Sequence, residues 1–408
     1  MKNFEVPANY RSPLISAIKK KRKEQDRMKK DFTPSVLDFG PVKFYLARHF
    51  GFCYGVENAI DIAFRTIDGN PGKRIFLLSE MIHNPKVNSD LLSYGVKFLQ
   101  DNSGKQLIPF ESLHQDDIVL IPAFGTTLPI EKKLKEIGIQ IEQYNTTCPF
   151  VEKVWNRSEA IAKTNYTIVI HGKPNHEETR ATFSHASSNA PSIVVKDYAQ
   201  AELLAQYILG EKPVSDFFSD FKNQYSDGFN PQEHLQRIGV VNQTTMLATD
   251  TEAIADLLKK AIIQRFNLTT SNLKDHFADT RDTLCYATND NQSAVKGLLD
   301  IDADLAIVAG GYNSSNTSHL VELCEDHLPV YFIENADKIL SATSIIHYDI
   351  HKHVEMVTSD YLPEKSQISI LLTSGASCPD AVVENIIKKI AGYYPAAKSL
   401  EELIPQFS

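Results

Sequence analysis

The chain carries five cysteines, Cys53, Cys148, Cys285, Cys324 and Cys378, and three of them stand in matched settings. In "GFCYGVENAI", "NTTCPFVEKVW" and "LCYATNDNQSAV" the cysteine follows a short strand-like or turn segment. An aromatic comes one or two places later, and a stretch able to form a helix follows. A thiol at a helix N-terminus is expected to have a lowered pKa, because that end of the helix favours the anion. Three such thiolates suit a soft metal or an iron–sulfur cluster, and a four-iron cluster on three thiolates keeps one iron open to substrate. The plain alternative is three buried cysteines acting as small hydrophobes. Cys324, in "LVELCEDHL", reads as core, whereas Cys378, in the polar loop "GASCPD", keeps a chemical role open. No CxxC pair occurs, so any metal site has to be assembled from distant segments.

A second set of residues suits an anion. "HGKPNHEETRAT" puts His171, His176, Glu177, Glu178 and Thr182 at a strand-to-helix junction, where a histidine can hold an anion and a carboxyl can donate a proton. It is not a zinc helix, because "HEETR" lacks the second histidine of HExxH. "GGYNSSNTS" offers Ser314, Ser315 and Asn316 after two glycines, and "LTSGASCPD" offers Ser374 and Ser377. Hydroxyls, an amide and helix-start N–H groups make a phosphate cradle without lysine. Each of these segments could equally be an ordinary helix cap. "MIHNPKV" adds His83 after another apolar run, and "NQTTM" adds Gln243, Thr244 and Thr245. Several polar strand ends in one chain favour a diphosphate-sized ligand.

The elements that must position these residues follow from the apolar pattern. Runs such as "RIFLLSEM", "DIVLIPAF", "YTIVIHGK", "RIGVVNQ", "DLAIVAGG" and "SILLTSG" are short, apolar and separated by helix-like stretches. That alternation predicts parallel sheets in α/β units, with ligands gathered at the carboxyl ends of the strands. Residues 1–43 read as a polar extension whose run "KKKRKEQDRMKK" is a solvated helix or arm. A nucleic-acid-binding arm is the sharper alternative. The segment 209–235 breaks the rhythm and reads as an insertion with little strand pattern. Among 408 residues the net charge is −9, which disfavours nucleic acid as the main partner. No apolar run approaches the roughly 18 residues needed to span a bilayer, and the expected compartment is the cytoplasm.

Taken together, "GFCYGVENAI", "IHNPKV", "NTTCPFVEKVW", "HGKPNHEETRAT", "NQTTM", "LCYATNDNQSAV", "NSSNT" and "SGASCPD" resemble the LytB family, in the family's order and over about residues 44 to 393. The extension and the insertion look like its longer, plant- and cyanobacterial-type branch. The resemblance implies a 4-hydroxy-3-methylbut-2-enyl diphosphate reductase, the last enzyme of the non-mevalonate isoprenoid pathway. It implies three similar α/β domains with small parallel sheets, arranged as a trefoil around a central iron–sulfur cluster. The matching boundaries are 44–147, 148–283 and 284–393, with a tail at 394–408. Cys53, Cys148 and Cys285 would hold a [4Fe–4S] cluster with one open iron. His83, His176, Ser314, Ser315, Asn316 and Ser377 would hold the diphosphate. Thr244 would position the substrate hydroxyl and Glu178 would deliver protons. "PAFGTT" carries Phe124 where shorter members have a further histidine, which removes one hydrogen-bond donor from the expected substrate contacts.

The chain has no GxGxxG fingerprint for a nicotinamide or flavin cofactor. Electrons are therefore expected from a small carrier, ferredoxin or flavodoxin. The rival reading is a metal-free α/β transferase acting on a phosphorylated small molecule, indifferent to cysteine replacement. A non-enzymatic redox sensor would explain the thiols but leaves Glu178 and the Ser/Asn loops without a role.

Overall fold

The computed structural model describes residues 4–269, 271–278 and 283–407. The chain divides into two compact units: Met1–Asp61 with Ile82–Asp90 and Tyr286–Ser408, and Ile62–Met81 with Leu91–Cys285.

The first unit is built on a five-stranded sheet in the order Ser35–Asp38, Val42–Leu46, Ile368–Ser374, Leu305–Ala309, Val330–Ile333. The first pair is antiparallel and the remaining pairs are parallel. Leu305–Ala309 is buried along its whole length, as a β-rich apolar run covered on both faces should be. Leu372 lies opposite both Leu46 and Ile307, which locks the register at the centre of the sheet. The expected boundary at residue 44 falls inside a strand of this sheet. The strand Val42–Leu46 joins strands of the C-terminal third, not those of 75–120. An apolar run marks a strand but carries no information on its neighbour.

The extension contains a helix that is partly packed. Ser12 caps the helix Pro13–Gln25 by accepting the Ile15 N–H at 2.9 Å, with Pro13 in the first turn. Leu14, Ile15 and Ile18, at helical spacing, are buried in the core of the unit, so the first half of this helix is no free arm. The basic half is solvated, and Lys19 pairs with Asp380 at 2.7 Å.

The second unit holds two three-stranded parallel sheets, ordered Lys97–Phe98, Ile75–Leu77, Ile118–Leu120 and Ser192–Val195, Thr167–His171, Ile238–Asn242. The expected insertion contains no strand, in keeping with its sequence, yet it is well packed. It forms the helices Val214–Asp220 and Pro231–His234, and Phe217, Phe221 and Phe229 are buried against the unit's core. Phe217 stacks on Phe229 with ring centroids 5.4 Å apart. Tyr225 bridges Ile193 and so covers an otherwise open edge strand. Replacing Phe217 by alanine is expected to cost about 3–5 kcal/mol, read as a lowered urea midpoint. A loss below about 1 kcal/mol would show that the insertion is a detachable appendage. No helix among the described residues is long and apolar enough to cross a membrane.

Candidate active site

In the second unit, the strand Thr167–His171 runs into a glycine turn and then the helix Glu177–Ser187. His176 is the N-cap of that helix, and its Nδ1 accepts the Glu178 N–H at 3.1 Å. In the neutral ring an accepting Nδ1 puts the proton on Nε2, which makes His176 a hydrogen-bond donor suited to an anionic oxygen. Phe124 meets the His176 ring edge-on, with centroids 5.6 Å apart, and so contributes packing where a histidine would have contributed a donor.

Glu178 is 1% exposed. One of its oxygens accepts the Thr244 backbone N–H and the other accepts the Thr244 hydroxyl at 3.0 Å. Thr244 lies just beyond the strand Ile238–Asn242, the parallel neighbour of Thr167–His171. Its carbonyl in turn accepts the Cys285 N–H at 3.4 Å. One carboxylate, one hydroxyl and one cysteine thus form a connected group at two adjoining strand ends. Gln243 braces it: Oε1 accepts from Lys173 N–H at 3.1 Å and from Thr179 Oγ1 at 2.9 Å, and Nε2 donates to Thr245 Oγ1 at 2.7 Å. Asn242 accepts from Thr283, which anchors the approach to Cys285. Gly172 is required here, since a Cβ would lie 2.6 Å from Thr179 Oγ1. Cys148 caps the helix Pro149–Ala162, and its N–H donates to Ala123 O at 2.9 Å.

In the first unit, Cys53 immediately precedes the helix Tyr54–Gly69 and donates its N–H to Ala376 O at 3.2 Å. The Ala376 N–H donates to Asn316 Oδ1 at 2.9 Å, and Ser377 Oγ donates to His83 O at 3.1 Å. Ser314 caps the helix Ser315–Glu325, accepting from Thr317 N–H and Oγ1. Capping and ligand binding are therefore not alternatives for Ser314. Asn316 Nδ2 is buried and finds no partner in the protein, a donor left over for something else. A Cβ at Gly375 would collide with Thr317 Oγ1, and one at Gly311 with His83 O, so both glycines permit the loops to close on one another. The unit thereby gathers Cys53, His83, Ser314, Ser315, Asn316 and Ser377 into neighbouring loops, whereas Cys148, His176, Glu178, Thr244 and Cys285 belong to the other unit.

None of the five cysteines forms a disulfide. Burial pushes the Cys53 thiol up and outweighs the N–H groups of Val56 and Gly55 that pull it down; the Glu57 charge adds to the rise. The expected lowering at a helix start is thus overridden for Cys53, because desolvation of a thiolate exceeds the helix-end attraction. Cys324 and Cys378 are fully buried, and burial pushes each up to about 12, so both remain thiols. Cys378, whose loop setting left a chemical role open, lies in the hydrophobic core of the first unit. Among the described residues no three His, Cys, Asp or Glu side chains are grouped to hold a metal. The donor set nevertheless fits an iron–sulfur cluster: three thiols outside any disulfide, each on the residue immediately before a helix. Thr179, Thr283 and Thr317 went unnoticed in the sequence. Each reads there as an unremarkable polar residue, and only the fold brings it to a loop.

The description "LytB protein" belongs to the family model that matches residues 44–391. The chain is 39% identical over 386 residues to the 4-hydroxy-3-methylbut-2-enyl diphosphate reductase of Picosynechococcus sp., covering 94% of this chain and 90% of the relative. It is 38% identical over 393 residues to the enzyme of the same name from Synechocystis sp., covering 96% and 97%. Among solved structures, the E-1-hydroxy-2-methyl-but-2-enyl-4-diphosphate reductase from Plasmodium falciparum superposes with a TM-score of 0.61 at 21% identity, over 86% of this chain and 89% of that one. This last likeness shows a shared fold.

Proposed function

The chain belongs to the LytB family, and from that premise we propose that it is a 4-hydroxy-3-methylbut-2-enyl diphosphate reductase, acting at the end of the non-mevalonate isoprenoid pathway. The reaction takes the allylic alcohol diphosphate, two electrons and two protons to isopentenyl or dimethylallyl diphosphate and water. The metal-free transferase is not favoured by this kinship.

Cys53, Cys148 and Cys285 would hold a [4Fe–4S] cluster with one open iron; when bound, such a cluster supplies electrons singly and a Lewis acid. The protein's own residues bind, orient and move protons. His83, His176, Ser314, Ser315, Asn316 and Ser377 hold the diphosphate, a reading supported by the unpartnered Asn316 Nδ2 and the donor Nε2 of His176. Anchoring that end fixes the position of the allylic carbon at the other. Thr244 orients the substrate hydroxyl, and Glu178 supplies the proton that leaves with it as water. In the structure the Thr244 hydroxyl donates to Glu178. Once Glu178 is protonated this bond reverses, and the Thr244 O–H points instead to the substrate oxygen. The observation that carries the reading is the Glu178–Thr244–Cys285 connection, which joins a proton source, a hydroxyl and a cysteine in one hydrogen-bonded group.

A reduced ferredoxin or flavodoxin and a cytoplasmic setting belong to the same reading. The test is anaerobic turnover with reduced methyl viologen. Two viologens should be oxidised per diphosphate consumed, with both isomeric products recovered. Stable substrate and no viologen oxidation by iron-replete protein would overturn the proposal.

A further inference from the structure

The basic run at residues 19–30 holds eight of the chain's 42 lysines and arginines and lies outside the residues matched by the family model. Nothing in the chemistry above uses it. Its course in the fold is specific. Lys29 pairs with Asp290 at 2.8 Å and lies over the Tyr286 ring, 5.1 Å from its centroid. The Tyr286 hydroxyl accepts the Tyr54 N–H at 3.4 Å. Tyr54 and Tyr286 are the residues directly after Cys53 and Cys285, and each is 36% exposed. Next to Lys29 in the chain, Met28 is 74% exposed, and Arg27 and Lys30 are exposed with no ion-pair partner among the described residues. Lys29 therefore brings this exposed basic stretch, with Arg27, Met28 and Lys30 beside it in the chain, to the joined Tyr54 and Tyr286, one residue along the chain from two of the cysteines.

We propose that this surface docks an acidic one-electron carrier protein. The inference rests on the reductase reading and adds to it the place where electrons enter. Charge complementarity identifies the occupant. In a chain of net charge −9, a local excess of cations steers a negatively charged partner to one face and leaves the rest repulsive. Unpaired rim cations raise the association rate, and a small apolar centre allows rapid release, as suits a carrier that must leave after each electron. Each docking oxidises one carrier by one electron, so two reduced carriers are consumed for every allylic hydroxyl that leaves as water with two protons taken up.

The test compares the iron-loaded wild type with the double variant Arg27→Glu/Lys30→Glu, using two reductants: a reduced acidic [2Fe–2S] ferredoxin and reduced methyl viologen. At low salt the variant's KM for ferredoxin is expected to rise roughly tenfold, and the two proteins should converge at high ionic strength. Viologen-driven turnover should be the same in both. An unchanged KM for ferredoxin overturns the proposal, as does an equal fall with both reductants, which would mean that the substitutions act through the fold. Loss of single-stranded RNA retention with ferredoxin kinetics unchanged would assign the run to nucleic acid and overturn it too. No viologen-driven turnover in the wild type would sink the reductase reading itself, a failure separable from failure at this surface.

Discussion

Serine at Cys53, Cys148 or Cys285 is expected to leave a folded protein that has lost its iron, its visible colour and all measurable turnover, whereas alanine at Cys324 leaves iron content unchanged. The physical reason lies in the donor. An alcohol remains protonated under conditions where a metal strips the proton from a thiol, and its hard oxygen is a poor partner for iron–sulfur iron. The three positions differ from the other two in where the fold puts them. Each immediately precedes a helix, while Cys324 is buried within the helix Ser315–Glu325 and Cys378 lies in the core. Burial pushes the Cys53 thiol up, so the proposed ligand role would rest on a metal displacing the proton and not on a depressed pKa. Iron and acid-labile sulfide per chain, measured after anaerobic purification, decide the matter. Wild-type iron in any of the three serine variants would remove that cysteine from the ligand set.

Glu178→Gln is expected to reduce turnover by about 10²–10⁴ with iron content and thermal midpoint nearly unchanged, the range typical for loss of a positioned proton donor. Glutamine fits the same space and retains one oxygen for the Thr244 N–H. Its amide nitrogen takes the place of the oxygen that meets the Thr244 hydroxyl, which then has to turn round and accept. The group therefore stays hydrogen-bonded but cannot release a proton. KM should shift little, because the side chains proposed to hold the diphosphate are unchanged and the Glu178 N–H that His176 accepts is retained. The decisive measurement is product formation in a single turnover at matched iron content. A variant within a factor of about ten of wild type would leave Glu178 as a structural brace for Thr244 and send the search for the proton source to the diphosphate itself.

Much of this site could be read before any fold was known. Cys53, Cys148 and Cys285 share a local context, and a helix start is a local property written in the residues that follow. Ser314 as a cap follows from the same short-range rules. What eluded the sequence was everything set by residues far apart. Thr244 and Glu178 are 66 residues apart, and no spacing rule links the end of one strand to the start of a helix after its neighbour. Cys378 reads as a loop cysteine because its neighbours in the chain are polar, yet the fold buries it in the hydrophobic core of the first unit. The extension reads as a solvated helix or arm because its basic run says nothing of the three apolar residues just before it, which the fold buries.

The sequence by itself determined the kinds of groups present, the strands that bear them and the helix ends at which the cysteines sit, since each of these rests on interactions within a few residues. Only the tertiary structure decided which strands pair, so that Val42–Leu46 lies against Ile368–Leu372, and which polar atoms are left without partners, as Asn316 Nδ2 is. It also set Cys53's thiol above its ordinary range against the pull of its own helix. Local hydrogen bonds and helix ends act over one turn, whereas burial and strand pairing depend on what the rest of the chain brings up from a distance.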